Sequence, residues 1–397
     1  MEQADKATPL DFENTEIAFD RLSDKELNAA HRLFRTMGNA RLVDLTSPLG
    51  HLAVKWNLPF ARSMVKKTIY RQFCGGETLQ KCLPTIAALN EKNVRCFLDY
   101  GVEAKSTESE IEPIKEHLLE VVDFAAKTDG VPVVCIKLTA LAPDGLLEKM
   151  NAGEALTDEE QQLRERFLDR VDQICRKSHA LGVKVYVDAE ESWIQTAMDG
   201  VVELMMSRYN GDAAVVYQTY QMYRHDRLAK LKQDHATAMA EGYVLGAKYV
   251  RGAYMDKERA RASEQGYPSP IHADKAAVDH DFDQAIRYCV DHVDTLASCC
   301  ASHNMVSNLL LAQLMDDKGI PRSHPHLHFC QLQGMSDYIS FNLSRAGFNA
   351  SKYVVYGPVR EVVPYLMRRA KENSSITGEM GRELSYITRE MTRRQLI

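Results

Sequence analysis

Four residues toward the C-terminus have the types and spacing to hold a carboxylate. Tyr365, Arg368, Arg369 and Glu372 are three and four positions apart, so a helix through them carries all four on one face. Two adjacent guanidiniums beside a phenol offer paired N–H donors that match a carboxylate. The same set would also suit a solvated face with Arg–Glu ion pairs. Two further cations, Lys137 and Arg251, stand within apolar runs. A buried cation without a partner costs several kcal/mol, so each needs an anionic side chain or ligand. Asp188 and Glu190 are available partners for Lys137. Arg251-Gly252-Ala253 leaves backbone open next to a cation, a turn able to bind phosphate. With His303-Asn304 further along, it points to a phosphate-bearing cofactor.

Other chemistries have less support. His324, His326 and His328 alternate, and two histidines two apart on a strand could ligate zinc. They open an apolar run rather than close it, which in a barrel is the end away from the active site. No metal site is therefore expected, and a metal-dependent barrel hydrolase is the remote alternative. No G-x-G-x-x-G and no G-x-S-x-G occurs.

Such residues need elements that set them side by side. Eight short apolar runs supply them: Val94–Tyr100, Val131–Leu138, Val183–Glu190, Ala213–Tyr220, Ala247–Tyr254, Ala297–Asn304, His326–Leu332 and Lys352–Gly357. Continuous apolar runs bounded by turns are typical of strands buried on both faces. Amphipathic stretches intervene, such as Val278, Phe282, Ile286 and Cys289, then Val306, Leu309, Leu310 and Leu314, then Glu361–Asn373. Eight strand–helix units over roughly 270 residues predict an α/β (β/α)8 TIM-like barrel, for which about 250 residues is typical. An open doubly wound sheet is the competitor. In a barrel the strands' C-terminal ends carry the site, which here means Asp99 and Glu103, Lys137, Asp188 with Glu190 and Glu191, and Gln218. Further round come Lys248, Arg251 and Tyr254, Ser302, His303 and Asn304, Gln331, and Tyr353 with Gly357.

The first ninety residues read as helical, over Leu22–Leu33, Phe60–Phe73 and Leu79–Leu89, with Pro84 kinking the last or moving its start. The expected organisation is an N-terminal helical region, residues 1–90, then the barrel with a C-terminal helix over its mouth, residues 91–397. In Met380–Ile397, Met380, Leu384, Ile387 and Met391 share a side flanked by arginines, which suits a lid helix or a peripheral membrane contact.

The composition of the 397 residues is ordinary for a globular protein, with 45% apolar and 26% charged residues. The net charge of −6 leaves no global basic field for nucleic acid, so no nucleic-acid partner is expected. No run approaches the roughly 18 apolar residues of a membrane span. The acidic N-terminus lacks the features of a secretory signal or transit peptide. The nine scattered cysteines, odd in number and without C-x-x-C, fit a reducing compartment. The expected location is the cytoplasm, with peripheral association at the inner membrane, or the mitochondrial inner membrane had a leader been removed.

Six blocks in order resemble the proline dehydrogenase family: IKLTAL (Ile136–Leu141), VDAEES (Val187–Ser192), YQTYQ (Tyr217–Gln221), YVRGAYMDKE (Tyr249–Glu258), ASHN (Ala301–Asn304) and YVVYGPVREVVPYLMRRAKENSS (Tyr353–Ser375). The similarity runs from Gln72 to about Ser375. It fits the single-function enzyme rather than the long bacterial fusion, with no room for a second dehydrogenase domain or an N-terminal DNA-binding segment. The resemblance implies a distorted (βα)8 barrel that oxidises L-proline to Δ1-pyrroline-5-carboxylate with FAD and passes electrons to a membrane quinone. It implies that Arg368 and Arg369, assisted by Lys137, clamp the proline carboxylate, and that Tyr353 and Tyr365 pack over the ring. Asp188 would sit in the reaction centre and help hold that lysine. Gln218, Arg251, Gly252, Ala253, Tyr254, Ser302, His303 and Gln331 match FAD-contacting positions, with Ala189 and Asn304 in the same blocks and Glu372 at the same rim.

Two departures stand out. Lys248 replaces an arginine that many bacterial members place beside the flavin, keeping charge but losing the planar fork. With Asp188 it is the expected catalytic pair. Met255 stands where many have tryptophan. Tyr353 bears on the main alternative, a hydroxyproline dehydrogenase, because those relatives usually carry a smaller residue there.

Overall fold

The computed structural model describes residues 9–38, 59–102, 107–375 and 379–397. All eight apolar runs form strands, β1 Arg95–Tyr100, β2 Val133–Ile136, β3 Lys184–Val187, β4 Val216–Gln221, β5 Leu245–Val250, β6 Leu296–Ala301, β7 Leu327–Leu332 and β8 Ala350–Tyr356. Their order is that of a closed barrel, β1 through β8, which settles the fold as (β/α)8 and excludes the open sheet. Several strands are shorter than the apolar runs because the last residues of a run already leave the ladder. Lys137, for example, begins a 3₁₀ turn over Leu138–Ala140 instead of ending β2. The barrel is dressed by helices: α1 Thr15–Phe19, α2 Asp24–Met37, α3 from Pro59–Val65 through a π turn at Lys66–Tyr70 to Arg71–Phe73, and α4 Leu79–Asn90. There follow α5 Glu108–Lys127, α6 Leu146–Ala152, α7 Asp158–Leu181, α8 Ser192–Tyr209, α9 Arg227–Glu241, α10 Met255–Gln265, α11 Lys275–Asp291 and α12 Met305–Asp317. The last are α13 Asp337–Arg345, α14 Val359–Ser375 and α15 Glu379–Arg393.

The chain divides into two compact units, residues 103–330 and residues 1–102 with 331–397. In the first, β2 to β7 run parallel, with Gln218 opposite Ala247 and Lys248 opposite Cys299. Strands covered on both sides must be apolar on both sides, and β2 is buried at all four positions. Gly246 lets β5 lie close to β4, since a Cβ there would come 2.2 Å from the Val216 carbonyl oxygen. The long α7 starts with a capping box in which the Thr157 and Glu160 side chains satisfy each other's backbone N–H groups.

In the second unit β1 pairs with β8, Phe97 lying opposite Tyr353. Ser23 and Glu26 form the capping box that opens α2. Thr78 caps α4, and Pro84 lies inside that helix without moving its start. The apolar side of α15 is turned into protein: Tyr386, Ile387 and Met391 are buried, and Tyr386 stacks on Tyr338 with ring centroids 4.1 Å apart. Ile387 and Met391, two of the four residues that suited a membrane contact, thus already have a protein partner, while Leu384 is half-buried. Among the described residues no helix is long and apolar enough to cross a membrane.

Candidate active site

The centre of residues 103–330 is a group of three charges. Lys248, near the middle of β5 and 5% exposed, forms an ion pair with Asp188, the first residue after β3. Lys137 Nζ is 3.7 Å from the other oxygen, Asp188 Oδ2. Asp188 is thus a partner of Lys137, as its place in the sequence suggests, and pairs more closely with Lys248. The more deeply buried cation has the greater need of the carboxylate, while Lys137 keeps 16% of its side chain exposed. Burial opposes the charge on Lys248, but Asp188 outweighs it and lifts the ammonium to about 12.

Glu190 makes its hydrogen bonds elsewhere, and Lys137 acts on it only through charge. Its carboxylate accepts from the Thr139 backbone N–H at 3.2 Å and from Thr139 Oγ1 at 2.6 Å. Burial pushes it up to about 7 against those hydrogen bonds.

Arg251, just past β5, is tied down on every side. Its Nε donates to Asp279 at 2.9 Å, Nη1 to Ser302 Oγ at 2.7 Å and Nη2 to Ser307 Oγ at 3.1 Å. The guanidinium lies 4.3 Å from the centroid of Phe282. Ser302 Oγ in turn accepts from Asn304 N at 3.1 Å, and Asn304 Oδ1 caps α12 through Val306 N and Ser307 N. A cation, two hydroxyls and a helix N-terminus thus meet at one place, the donor types that suit phosphate, with Asp279 balancing the cation and Asp283 accepting from Ser307 Oγ at 2.7 Å. Gly252 has φ +135°, and a Cβ there would meet the Tyr223 ring at 2.5 Å, so the turn after Arg251 requires glycine. Ala253 is exposed, and Tyr254 and His303 are half-buried.

Gln218 lies in the first half of β4 and not at its end, because β4 goes on pairing with β5 as far as Gln221 opposite Val250. Its Nε2 donates to Asp199 at 2.8 Å, while Oε1 is buried without a protein donor among the described residues. Gln221 Oε1 is in the same state, its Nε2 lying 3.4 Å from the Ala189 carbonyl.

The remaining candidates belong to residues 331–397. Gln331 is buried and accepts from Ser340 Oγ at 2.8 Å. Tyr353 is half-buried in the middle of β8, again not at a strand end. On α14, Tyr365 and Arg369 are buried and adjacent, with the guanidinium 5.3 Å from the tyrosine ring centroid, and Arg368 is half-buried. The solvated-face alternative for this helix therefore fails at Tyr365 and Arg369. Glu372 lies on α14, its side chain outside the described residues. Glu103 is outside the described residues, as is the side chain of Met380.

Several contributors were missed in the sequence. Asp279 and Ser307 hold Arg251, and an acidic pair at Asp279 and Asp283 flanking the apolar Phe282 was the available signal. The histidines have structural partners: His326 Nδ1 is 2.7 Å from the Val293 carbonyl and His328 Nε2 is 3.0 Å from that of Pro325. Burial drives His328 down to about 3.

The proline dehydrogenase family model matches residues 82–382. The chain belongs to this family. It is 30% identical over 374 residues to proline dehydrogenase 1, mitochondrial, of Dictyostelium discoideum, covering 83% of this chain and 65% of that protein. It is 30% identical over 381 residues to hydroxyproline dehydrogenase of Xenopus laevis, covering 87% of this chain and 80% of that protein. Proline utilization A (PutA) from Bdellovibrio bacteriovorus, inactivated by N-propargylglycine, has the same fold with a TM-score of 0.72 at 20% identity. The likeness covers 93% of this chain and 38% of that one. The proline dehydrogenase match thus takes in every block quoted above, although the chain spans under two thirds of the Dictyostelium protein.

Proposed function

We propose that this protein oxidises L-proline to Δ1-pyrroline-5-carboxylate with FAD and delivers the electrons to a quinone. The observation that carries the reading is the Lys137–Asp188–Lys248 centre, assembled from two of the family's sequence blocks and the residue just before a third. The residues suit a flavin dinucleotide. The buried amide oxygens of Gln218 and Gln221 await donors, and the Arg251–Ser302–Asn304 group suits a pyrophosphate. Gln218, Lys248, Arg251, Ser302, His303 and Asn304 would hold FAD. Bound there, FAD would supply the hydride acceptor for oxidation at the carbon next to the proline nitrogen.

The chain's own residues bind, orient and balance charge. Arg368 and Arg369 grip the proline carboxylate, with Lys137 adding a third positive charge. Tyr353 and Tyr365 supply the walls that orient the ring, since a small substrate reacts only from a near-attack pose. Lys248, held at about 12, stays protonated throughout the neutral range. It is a fixed positive charge that stabilises developing negative charge and does not act as an acid. The relatives named as mitochondrial support a mitochondrial location for this reading. Anaerobic titration of the purified flavoprotein with L-proline tests it. Stoichiometric bleaching of the flavin absorbance is expected, and an unchanged spectrum overturns the proposal.

A further inference from the structure

We propose that Glu190 is a positioning residue that fixes Lys137 by clamping the loop it stands on. The inference rests on the reading of Lys137 as a substrate-binding cation. Lys137 is the last extended residue before the 3₁₀ turn Leu138–Ala140, a turn closed by Ala140 N to the Lys137 carbonyl at 3.2 Å. Leu141 N and Ala142 N close it further by donating to the Leu138 carbonyl at 3.0 and 3.1 Å, but all these bonds lie within the turn and tie it to no other element. Glu190 supplies what the turn lacks. Its two oxygens take both donors of Thr139, the backbone N–H and the hydroxyl, so the turn is held at its centre.

The clamp is itself built in. The Glu190 N–H donates to Gln195 Oε1 at 3.0 Å, and Gln195 Nε2 donates to Asp199 at 2.8 Å. Asp199 is locked by Arg227 through two bonds of 2.8 and 2.9 Å. On the other side of the same loop, Glu258 of α10 is fully buried and accepts from Ser192 N at 2.6 Å and Ser192 Oγ at 2.5 Å. Four residues after Tyr254, Glu258 thus ties the start of α8, which follows the loop after β3, to α10, while Glu190 ties that loop to the turn after β2. Asp188 and Glu190, two residues apart on one loop, divide the work: Asp188 meets the lysines and Glu190 holds the backbone that presents one of them. Glu190 is a buried carboxylate whose direct hydrogen bonds come from neutral groups, a costly arrangement for mere loop closure.

The test compares the flavin-loaded parent with Glu190→Ala, Thr139→Val and Thr139→Ser. Acylation of Lys137 by an amine-reactive ester, read by peptide mass spectrometry, reports its position without reference to turnover. Proline KM and kcat are measured in parallel. Glu190→Ala is expected to speed Lys137 acylation about fivefold and raise KM about tenfold, with kcat changed less than about threefold, the pattern of lost ground-state binding. Thr139→Val should move both readouts the same way by less, and it carries the test if Glu190→Ala fails to fold. Thr139→Ser should behave as the parent. Lys137 acylation and KM both within about twofold of the parent in Glu190→Ala and Thr139→Val would overturn the proposal. So would faster acylation of all lysines together, which marks general loosening. A parent that does not oxidise proline, combined with faster Lys137 acylation in Glu190→Ala, sinks the proline reading and leaves the clamp standing.

Discussion

At the scale of single residues, the site was legible in residue type more than in partnership. Lys137 and Arg251 announced themselves as cations in apolar runs, because burying charge is costly wherever it occurs. Which anion serves which cation depends on burial differences that a sequence does not carry. Asp188 accordingly pairs tightly with Lys248, and Arg251 has Asp279, a residue 28 positions away. Two predictions belong here. Arg368→Met removes one half of the carboxylate grip and should raise proline KM by about 100-fold, the usual scale of a lost charged hydrogen bond of roughly 3 kcal/mol. The flavin should remain bound, and loss of its absorbance on gel filtration would place Arg368 elsewhere in the scheme. The second concerns Tyr353, whose bulk should exclude a ring hydroxyl. The parent should show a higher kcat/KM for proline than for hydroxyproline, and Tyr353→Ser should narrow that ratio. Equal values in the parent would favour the hydroxyproline reading that the Xenopus relative also represents.

At the scale of elements, all eight strands were legible, because a parallel strand covered on both sides has to be apolar throughout. Their ends were not. Polar residues continue the ladder in β4, where Gln218, Thr219 and Gln221 all pair with β5, so a drop in hydropathy does not mark where hydrogen bonding stops. The amphipathic period of α15 was equally plain, but an apolar stripe does not say whether protein or lipid covers it. Protein covers Ile387 and Met391, with α15 packed on α1 and α2 in its own unit. Burial of Tyr386, Ile387 and Met391 contributes roughly 1.5–3 kcal/mol each by area. Glu390, fully buried between Arg393 and Arg394, adds an ion pair that anchors the C-terminal end. Truncation after Glu379 should therefore lower the thermal midpoint by about 5 °C or more. An unchanged midpoint in differential scanning calorimetry would show that α15 is not part of the stable unit.

At the scale of the whole molecule, individual carboxylates tilt stability with pH in opposite directions. Glu77 is held near 2, above all by its hydrogen bond from Lys66, so its contribution is present above the unfolded value of 4.5 and lost in acid. Glu383 is the reverse case. Burial first, and then the Asp337 charge, push it up to about 7 against the hydrogen bonds it accepts from the Ser336 N–H and hydroxyl. The folded chain thus holds that proton more tightly than the unfolded one does. The stabilisation is complete below about 4.5, erodes as pH rises and is gone once pH passes about 7. His328, driven down to about 3, adds a slope of its own, since only the unfolded chain takes up that proton below about 6.5. Comparing one variant with its parent at each pH cancels every group but the one changed. Gln at position 383 can still accept from Ser336 but cannot ionise. The Glu383→Gln midpoint should therefore climb relative to the parent between pH 5 and pH 8, by a few degrees for a shift of this size. A difference that stays constant over that range would mean that Glu383 does not titrate there. A difference that falls would mean that its ionised form is the one the fold prefers, held by Lys352 more strongly than burial and Asp337 oppose it.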